Sequence, residues 1–223
     1  MKTDPLPVER ALKVRLPLAI ETTRLRLRGW RPEDAAPFRR MNADPDVMRF
    51  FPKPLTTAES DRLLERIRQG FVKDGFGLWA VDVKLNEGAN SEAPGGFAGF
   101  VGLSRTSFDA QTIEIAWRLA TPFQHRGLAA EAAAAALEAG FAVFGLDRIV
   151  AFTAECNLPS QRLMMRLGMT FERRFLHPAL PPADPLAPHV LFAMTRTAWQ
   201  SVRQRLPSAL AASFSFSAEE PQD

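Results

Sequence analysis

The sequence predicts a mixed α/β fold, with a central sheet of six to seven mostly antiparallel strands flanked by about four helices. Segments with an apolar residue at every second position, typical of half-buried strands, recur along the chain. Two helical patterns precede three consecutive strands in the first half. A strand–helix–strand unit follows in the second half, and its crossover helix predicts that the two flanking strands run parallel.

The first half is predicted to contain one early strand, two helices and then three antiparallel strands. Leu25 and Leu27 alternate with arginines, which predicts a strand. A proline and two acids at 32–34 are typical of a helix start. A second helix carries Leu63, Leu64, Ile67 and Phe71 on one stripe. Residues 77–85 and 97–106 are predicted to form a hairpin with a long, mobile tip, and 112–120 to add the next strand.

The second half is predicted to begin with an alanine-rich helix after Gly127. A strand over 148–155, a short helix over 159–167 and closing strands over 169–175 and 189–195 complete the pattern. The predicted organisation is an N-terminal extension over 1–17, one domain over 18–200 and a loosely ordered tail over 201–223, where periodicity is lost.

Composition narrows the class of protein. The chain has 223 residues and a net charge of only +3, without the clustered Lys and Arg that nucleic-acid binding needs. Cys156 is the single cysteine, which excludes an internal disulfide and a cysteine zinc cluster. No stretch reaches the apolar length of a membrane helix, and charges interrupt the N-terminal apolar runs. We therefore expect a cytoplasmic protein, either a monomer or a homodimer, without membrane or nucleic-acid partners.

The turn formed by Gln124, His125, Arg126 and Gly127 lies between a predicted strand and a predicted helix. The first N–H groups of a helix lack partners, and a glycine allows an anion to approach them closely. The turn therefore predicts a phosphate site, although an ordinary strand-to-helix turn explains the same residues.

Three ordered motifs give the chain a resemblance to a known family. The segment "QHRGLA" resembles the Q/R-x-x-G-x-G/A signature of the GCN5-related N-acetyltransferase (GNAT) superfamily. "NLPSQRLMMRLGM" resembles its N-x-x-S…LGF segment. Upstream, "ETTRLRLRGWRPEDAAPF" looks like the opening of the subgroup of RimJ/RimL-like ribosomal-protein N-terminal acetyltransferases, and "TIEIAWRLATPFQHRGLAAEA" is similar to a segment of that subgroup. The resemblance spans roughly residues 16–199.

The resemblance implies the GNAT fold and acetyl-CoA as co-substrate, without a metal. The parallel strands are expected to splay around the pantetheine arm, and the pyrophosphate is expected over the glycine turn. Asn157 is implied to bond the pantetheine arm or, alternatively, to cap the next helix. The implied cofactor-binding residues are Ile115, Trp117, Leu119, Gln124, His125, Arg126, Gly127, Leu128, Ala129 and Asn157.

Glu114 matches the strand glutamate of the subgroup and is our candidate base, although a surface glutamate explains it too. His177 and His189 are rival bases. The chain has no tyrosine to protonate the departing thiolate, so Ser160 is the candidate donor unless it only serves its helix start. Cys156 has no evident partner base, which favours direct attack in a ternary complex.

These residues predict an acetyl-CoA-dependent N-acetyltransferase that acts on a primary amine, specifically a protein N-terminal α-amine. The alternatives are acetylation of a small-molecule amine and a non-catalytic acyl-CoA-binding module.

Overall fold

The computed structural model describes residues 18–84, 95–205 and 215–218, and these residues contain one sheet. Its strands are β1 (Leu18–Glu21), β2 (Leu25–Arg28), β3 (Leu78–Val83), β4 (Gly96–Arg105), β5 (Ile113–Leu119), β6 (Arg148–Ala154), β7 (Thr170–Leu176), β8 (Pro188–Thr195) and β9 (Ser215–Ala218). Their order across the sheet is β7-β8-β6-β5-β4-β3-β2-β1-β9. Only β5 and β6 pair in parallel among the described strands, which confirms the predicted mixed sheet.

Six helices accompany the sheet in the described part of the chain. They are α1 (Ala35–Ala43), α2 (Pro45–Met48), α3 (Thr57–Asp74), α4 (Leu128–Glu138), α5 (Leu158–Arg166) and α6 (Arg196–Arg203). Single 3-10 turns precede α1 and α4, and α4 continues into a π turn over Ala139–Val143. The four helices that the sequence predicted are α1, α3, α4 and α5, whereas α2 and α6 are short additions.

Helix α3 shows how local sequence sets an element's bounds. The Thr56 side chain accepts a hydrogen bond from the Glu59 N–H, and the Glu59 side chain accepts one from the Thr56 N–H. These two bonds form a capping box at the first turn of the helix. Gly75, at φ 77°, ends the helix in the left-handed conformation that glycine adopts without strain. The predicted apolar stripe is the buried face, with Leu64, Ile67 and Phe71.

Helices cover the two faces of the sheet. A Cβ on Gly140, just after α4, would lie 2.6 Å from Ile149 Cδ1 and 3.0 Å from Leu103 Cδ1, so α4 packs closely on one face. On the other face the Phe38 ring of α1 lies 6.1 Å from that of Phe100, centroid to centroid. Because side chains alternate along a strand, each face of β5 meets one helix. The residues of β5 toward α4 are Ile113, Ile115, Trp117 and Leu119, and those toward α1 are Glu114, Ala116 and Arg118.

Arg28 is buried, although the alternating pattern of β2 predicts a solvent-exposed face for its arginines. It is 3% exposed, and its guanidinium forms ion pairs of 2.7 Å with Asp34 and 2.6 Å with Asp82. These pairs connect β2 to β3 and to the turn before α1. The alternation with buried Leu25 and Leu27 is present, but the polar face of this strand is covered as well.

Part of the predicted loose tail belongs to the sheet. β9 pairs with β1 in antiparallel register, with Phe216 opposite Ile20. Within the tail predicted over 201–223, the structure thus describes the end of α6 (Arg196–Arg203) and β9, and the division into extension, domain and tail stays a prediction. The predicted extension over 1–17, the hairpin tip over 85–94 and the tail over 206–214 and 219–223 lie outside the described residues. No described helix is long and apolar enough to cross a membrane.

Candidate active site

The parallel strands β5 and β6 part after a single pairing. Glu114 is in register with Val150, and no later residue of β5 pairs with β6 in the described structure. The Ala120 N–H bonds the Ala98 carbonyl, so in this ladder the even-numbered residues direct their main-chain groups toward β4. The main chains of Trp117 and Leu119 consequently face the opening between β5 and β6. Ile115, the third residue whose main chain was expected to face it, lies directly beside the pairing of Glu114 with Val150.

Gln124 closes the wide end of this opening. Its Nε2 donates to the Leu119 carbonyl at 2.9 Å, so the side-chain amide ties the glycine turn to the end of β5. We expected Gln124 to offer this amide to a phosphate. The structure instead uses it for the turn itself.

The turn before α4 presents main-chain donors. His125 and Gly127 both have left-handed backbone, at φ 60° and 76°. The first helical bond runs from the Glu131 N–H to the Gly127 carbonyl at 3.1 Å, and no described side chain caps the preceding N–H groups. The N–H groups of Leu128 and Ala129 are thus available to bind an anion. The side chains of His125 and Arg126 are exposed beside them.

A buried carboxylate and an arginine hold this turn, and sequence reasoning missed both. Glu131 is 1% exposed and accepts bonds from Thr22 Oγ1 at 2.6 Å and from Arg24 Nε at 2.7 Å. Arg24 Nη1 also donates to the Arg126 carbonyl at 3.0 Å. Arg24 therefore holds the Arg126 carbonyl in place and puts a positive charge next to the glycine turn. The acid in the first turn of α4 was visible in the sequence, but its partners lie more than 100 residues away.

Glu114 lies at the narrow end of the opening, on the α1 face of β5. Its Oε1 accepts a hydrogen bond from Ser104 Oγ at 3.1 Å. Burial raises the pKa of Glu114 to about 7, and the bond from Ser104 opposes that rise. A carboxyl group with this pKa is half-ionised near neutral pH, which suits a general base.

Ser160 and Asn157 form a network with Trp117 across the opening. Ser160 Oγ accepts bonds from Trp117 Nε1 at 3.4 Å and from Asn157 Nδ2 at 3.1 Å. Two accepted bonds leave the serine hydrogen available to donate. Asn157 Oδ1 accepts the Ser160 N–H at 3.3 Å, which confirms the capping alternative for Asn157. Ser160 is a first-turn residue and not the cap.

The rival bases belong to an aromatic cluster. The rings of His177 and His189 lie 4.8 Å apart between centroids, and burial lowers the pKa of both imidazoles. No hydrogen bond between described residues joins either ring to Glu114. Their other ring neighbours are Phe108, Phe152 and Phe175.

Cys156 is exposed just before α5. No hydrogen bond in the described structure links its thiol to a base. Among residues 18–84, 95–205 and 215–218, no group of His, Cys, Asp or Glu side chains is arranged to hold a metal ion.

Comparisons with known proteins identify the family and the fold. Residues 24–170 match the family described as Acetyltransferase (GNAT) domain. The chain is 27% identical over 180 residues to the N-acetyltransferase YnaD of Bacillus subtilis (strain 168), covering 81% of this chain and 98% of YnaD. An acetyltransferase of the GNAT family from Bacillus anthracis shares the fold at a TM-score of 0.64 and 24% identity, over 80% of this chain and 99% of that one. RimJ of Mycobacterium smegmatis, solved in complex with CoA-disulfide, shares it at 0.62 and 19% identity, over 79% and 87%.

Proposed function

The chain belongs to the GNAT family of acetyltransferases and is an N-acetyltransferase, and we propose that it moves the acetyl group of acetyl-CoA to a protein N-terminal α-amine. The observation that carries the proposal is the position of Glu114. A carboxyl group with a pKa of about 7 lies at the narrow end of an opening whose wide end offers the free N–H groups of α4.

The opening fits acetyl-CoA, the co-substrate of the family. The N–H groups of Leu128 and Ala129, with the side chains of His125 and Arg126, would hold the pyrophosphate. The free main-chain edge of β5 at Trp117 would pair with the amides of the pantetheine arm. Two features of the structure thus match the two polar parts of one ligand.

The pKa of Glu114 favours an α-amine over a lysine as the acceptor. An α-ammonium group has a pKa of about 8, so passing its proton to a group at about 7 costs roughly 1.4 kcal/mol. A lysine, with a pKa of about 10.4, would cost roughly 4.6 kcal/mol. The same carboxylate is therefore a far better base for an N-terminal amine.

Direct transfer requires one bond to form and one to break. Glu114 takes one proton from the α-ammonium group, and the neutral amine then attacks the thioester carbon. The C–S bond breaks, and the second proton that the nitrogen loses passes through solvent to the departing thiolate. In a chain without tyrosine, the hydroxyl hydrogen of Ser160 is free to bond the departing thiolate. A ternary complex needs no acyl-enzyme, which agrees with Cys156 having no base bonded to it in the described structure.

The choice of a protein N-terminus rests on the sequence motifs shared with the ribosomal-protein acetyltransferases and on the argument from pKa. Thiol release from acetyl-CoA, measured over N-terminal peptides, lysine peptides with blocked N-termini and small amines, tests it. We expect the N-terminal peptides to be the best acceptors, with product mass spectra that place the acetyl group on the α-amine. Preferred turnover of a small amine would replace the proposed acceptor, and absence of thiol release with every amine would contradict catalysis.

A further inference from the structure

Arg118 is a partly buried cation on the same face of β5 as Glu114. Its guanidinium carbon lies 4.2 Å from the ring centroid of Phe51 and 5.3 Å from that of Phe100. Nη1 donates to Asn42 Oδ1 at 2.6 Å, whereas the buried Nε has no hydrogen-bond partner among the described residues. The guanidinium is thus held in a fixed position by two rings and one amide.

No carboxylate in the described structure balances this charge. Arg118 forms no ion pair, and burial alone lowers its pKa to about 10. Buried arginine is ordinarily paired, as Arg28 is with Asp34 and Asp82, because an isolated charge loses its hydration without compensation. Nη2 is neither bonded nor among the buried atoms that lack a partner, so it retains access to solvent.

We propose that Arg118 binds an anionic side chain of the acceptor, so that the enzyme selects N-termini with an acidic residue at the third position. The proposal rests on the proposed function for the identity of the acceptor. The α1 face of β5 carries both Glu114, which would take the proton of the amine, and Arg118. The main-chain donors for the pyrophosphate lie instead at the start of α4, which packs on the opposite face.

The spacing of the two residues favours a peptide over a free amino acid. Four residues of strand separate their Cα atoms by about 13 Å. Both side chains reach across to β4, Glu114 toward Ser104 and Arg118 toward Phe100, and these partners are also four residues apart. Two residues of extended peptide span about 7 Å. A glutamate side chain and its hydrogen bond to Arg118 cover most of the rest of the distance between Glu114 and Arg118. An acidic residue at the third position of the peptide therefore fits.

Binding of paired peptides to the CoA-saturated protein tests the proposal without requiring turnover. The probes are the amidated tetrapeptides Ser-Ala-Glu-Ala and Ser-Ala-Gln-Ala, compared by titration calorimetry. We expect the acidic peptide to bind about 10-fold more tightly or better, as a charge-assisted hydrogen bond implies. Arg118→Met should bind both peptides with the affinity of the glutamine peptide, and Arg118→Lys should keep part of the preference.

Arg148→Met is the matched control, because Arg148 is a strand arginine paired with Glu172 on the surface. It should retain the full preference. Equal binding of the two peptides to the wild type, or a preference that survives in Arg118→Met, would overturn the proposal. So would loss of CoA affinity in Arg118→Met, which would assign the guanidinium to the co-substrate. A preference for the acidic peptide without thiol release would support the role of Arg118 and contradict the proposed function alone.

Discussion

Ser104 Oγ donates a hydrogen bond of 3.1 Å to Oε1 of Glu114, its neighbour across the β4–β5 ladder. No other hydrogen bond to the carboxylate is present in the described structure. Burial raises the pKa of Glu114 and the serine lowers it, so this pair sets the ionisation of the proposed base.

Ser104→Ala should move the acidic limb of the pH–rate profile to higher pH. Without the donor, the charged carboxylate loses a favourable bond, and the pKa of Glu114 rises further above its ordinary value. Turnover on the alkaline plateau should be nearly unchanged, because the base is intact. The profile of kcat/KM for the free enzyme reports the limb. Ser107→Ala, on the turn after β4, is the control, and an unmoved limb in Ser104→Ala would assign that limb to another group.

Glu114→Gln should lower turnover by roughly 100-fold or more, because the amide cannot accept the proton of the amine. The acidic limb should disappear, while affinity for CoA, measured by calorimetry, stays close to that of the wild type. Glu172→Gln changes an exposed glutamate and should leave turnover as it is. Activity within a few-fold of the wild type with the limb retained would transfer the role to His177 or His189.

The same substitution should stabilise the protein at alkaline pH. The pKa of Glu114 is about 7 in the folded state and 4.5 ordinarily, so the fold favours the protonated form. The contribution of Glu114 to stability is therefore fully present below about pH 4.5 and is lost as the pH rises through about 7. Glu114→Gln abolishes this loss, and we expect a gain of about 1–3 kcal/mol in unfolding free energy at pH 8. Urea denaturation at pH 8 and pH 4.5 checks it, with little difference expected at the lower pH.

The sequence predicted the elements whose signals are local. Strands β2 and β5 follow from alternation, β3 and β4 follow from the turn residues between them, and α3 follows from its apolar stripe. The glycine turn and the start of α5 were found because their residues are contiguous in the chain. Residues 213–217 read Ser-Phe-Ser-Phe-Ser, and Ser215–Ala218 form β9. This short alternation lies in a segment of small, polar and acidic residues, and it did not lead to the prediction of a strand.

The parts of the site that depend on distant pairs were not predicted. Arg24 alternates like any strand arginine, and only folding brings it to Glu131 and to the glycine turn. The position of Arg118 likewise depends on contacts with Asn42, which lies in α1, and with Phe51, which follows α2. A pattern within one segment carries no information on which cation will lack a counter-ion.

Gly127→Val should weaken CoA binding far more than it lowers the melting temperature. A Cβ here would meet only Arg24 Nη2, at 3.6 Å, so the structural cost is backbone strain at φ 76°. Gly145 is a matched control, with φ 66° and open space around a Cβ up to Arg196 Nη2 at 4.0 Å. Gly145→Val should show a similar loss of melting temperature with normal affinity. Equal CoA affinities of the two variants would contradict a phosphate site at this turn.

Ser160→Ala should lower turnover by roughly 10- to 150-fold, the range that a charge-assisted hydrogen bond of 1.5–3 kcal/mol implies. The structure separates this role from helix capping, because Asn157 caps α5 and Ser160 contributes only its N–H to the cap. Ser160→Ala keeps this cap and loses the bonds that Trp117 Nε1 and Asn157 Nδ2 donate to the hydroxyl, so we expect its main effect on turnover. Asn157→Ala should lose the cap, at a cost of about 1 kcal/mol in unfolding free energy. Turnover and urea denaturation measured on both variants distinguish the roles. If Ser160→Ala keeps its rate, water alone meets the thiolate, and the bonds from Trp117 and Asn157 to Ser160 serve only to join α5 to β5.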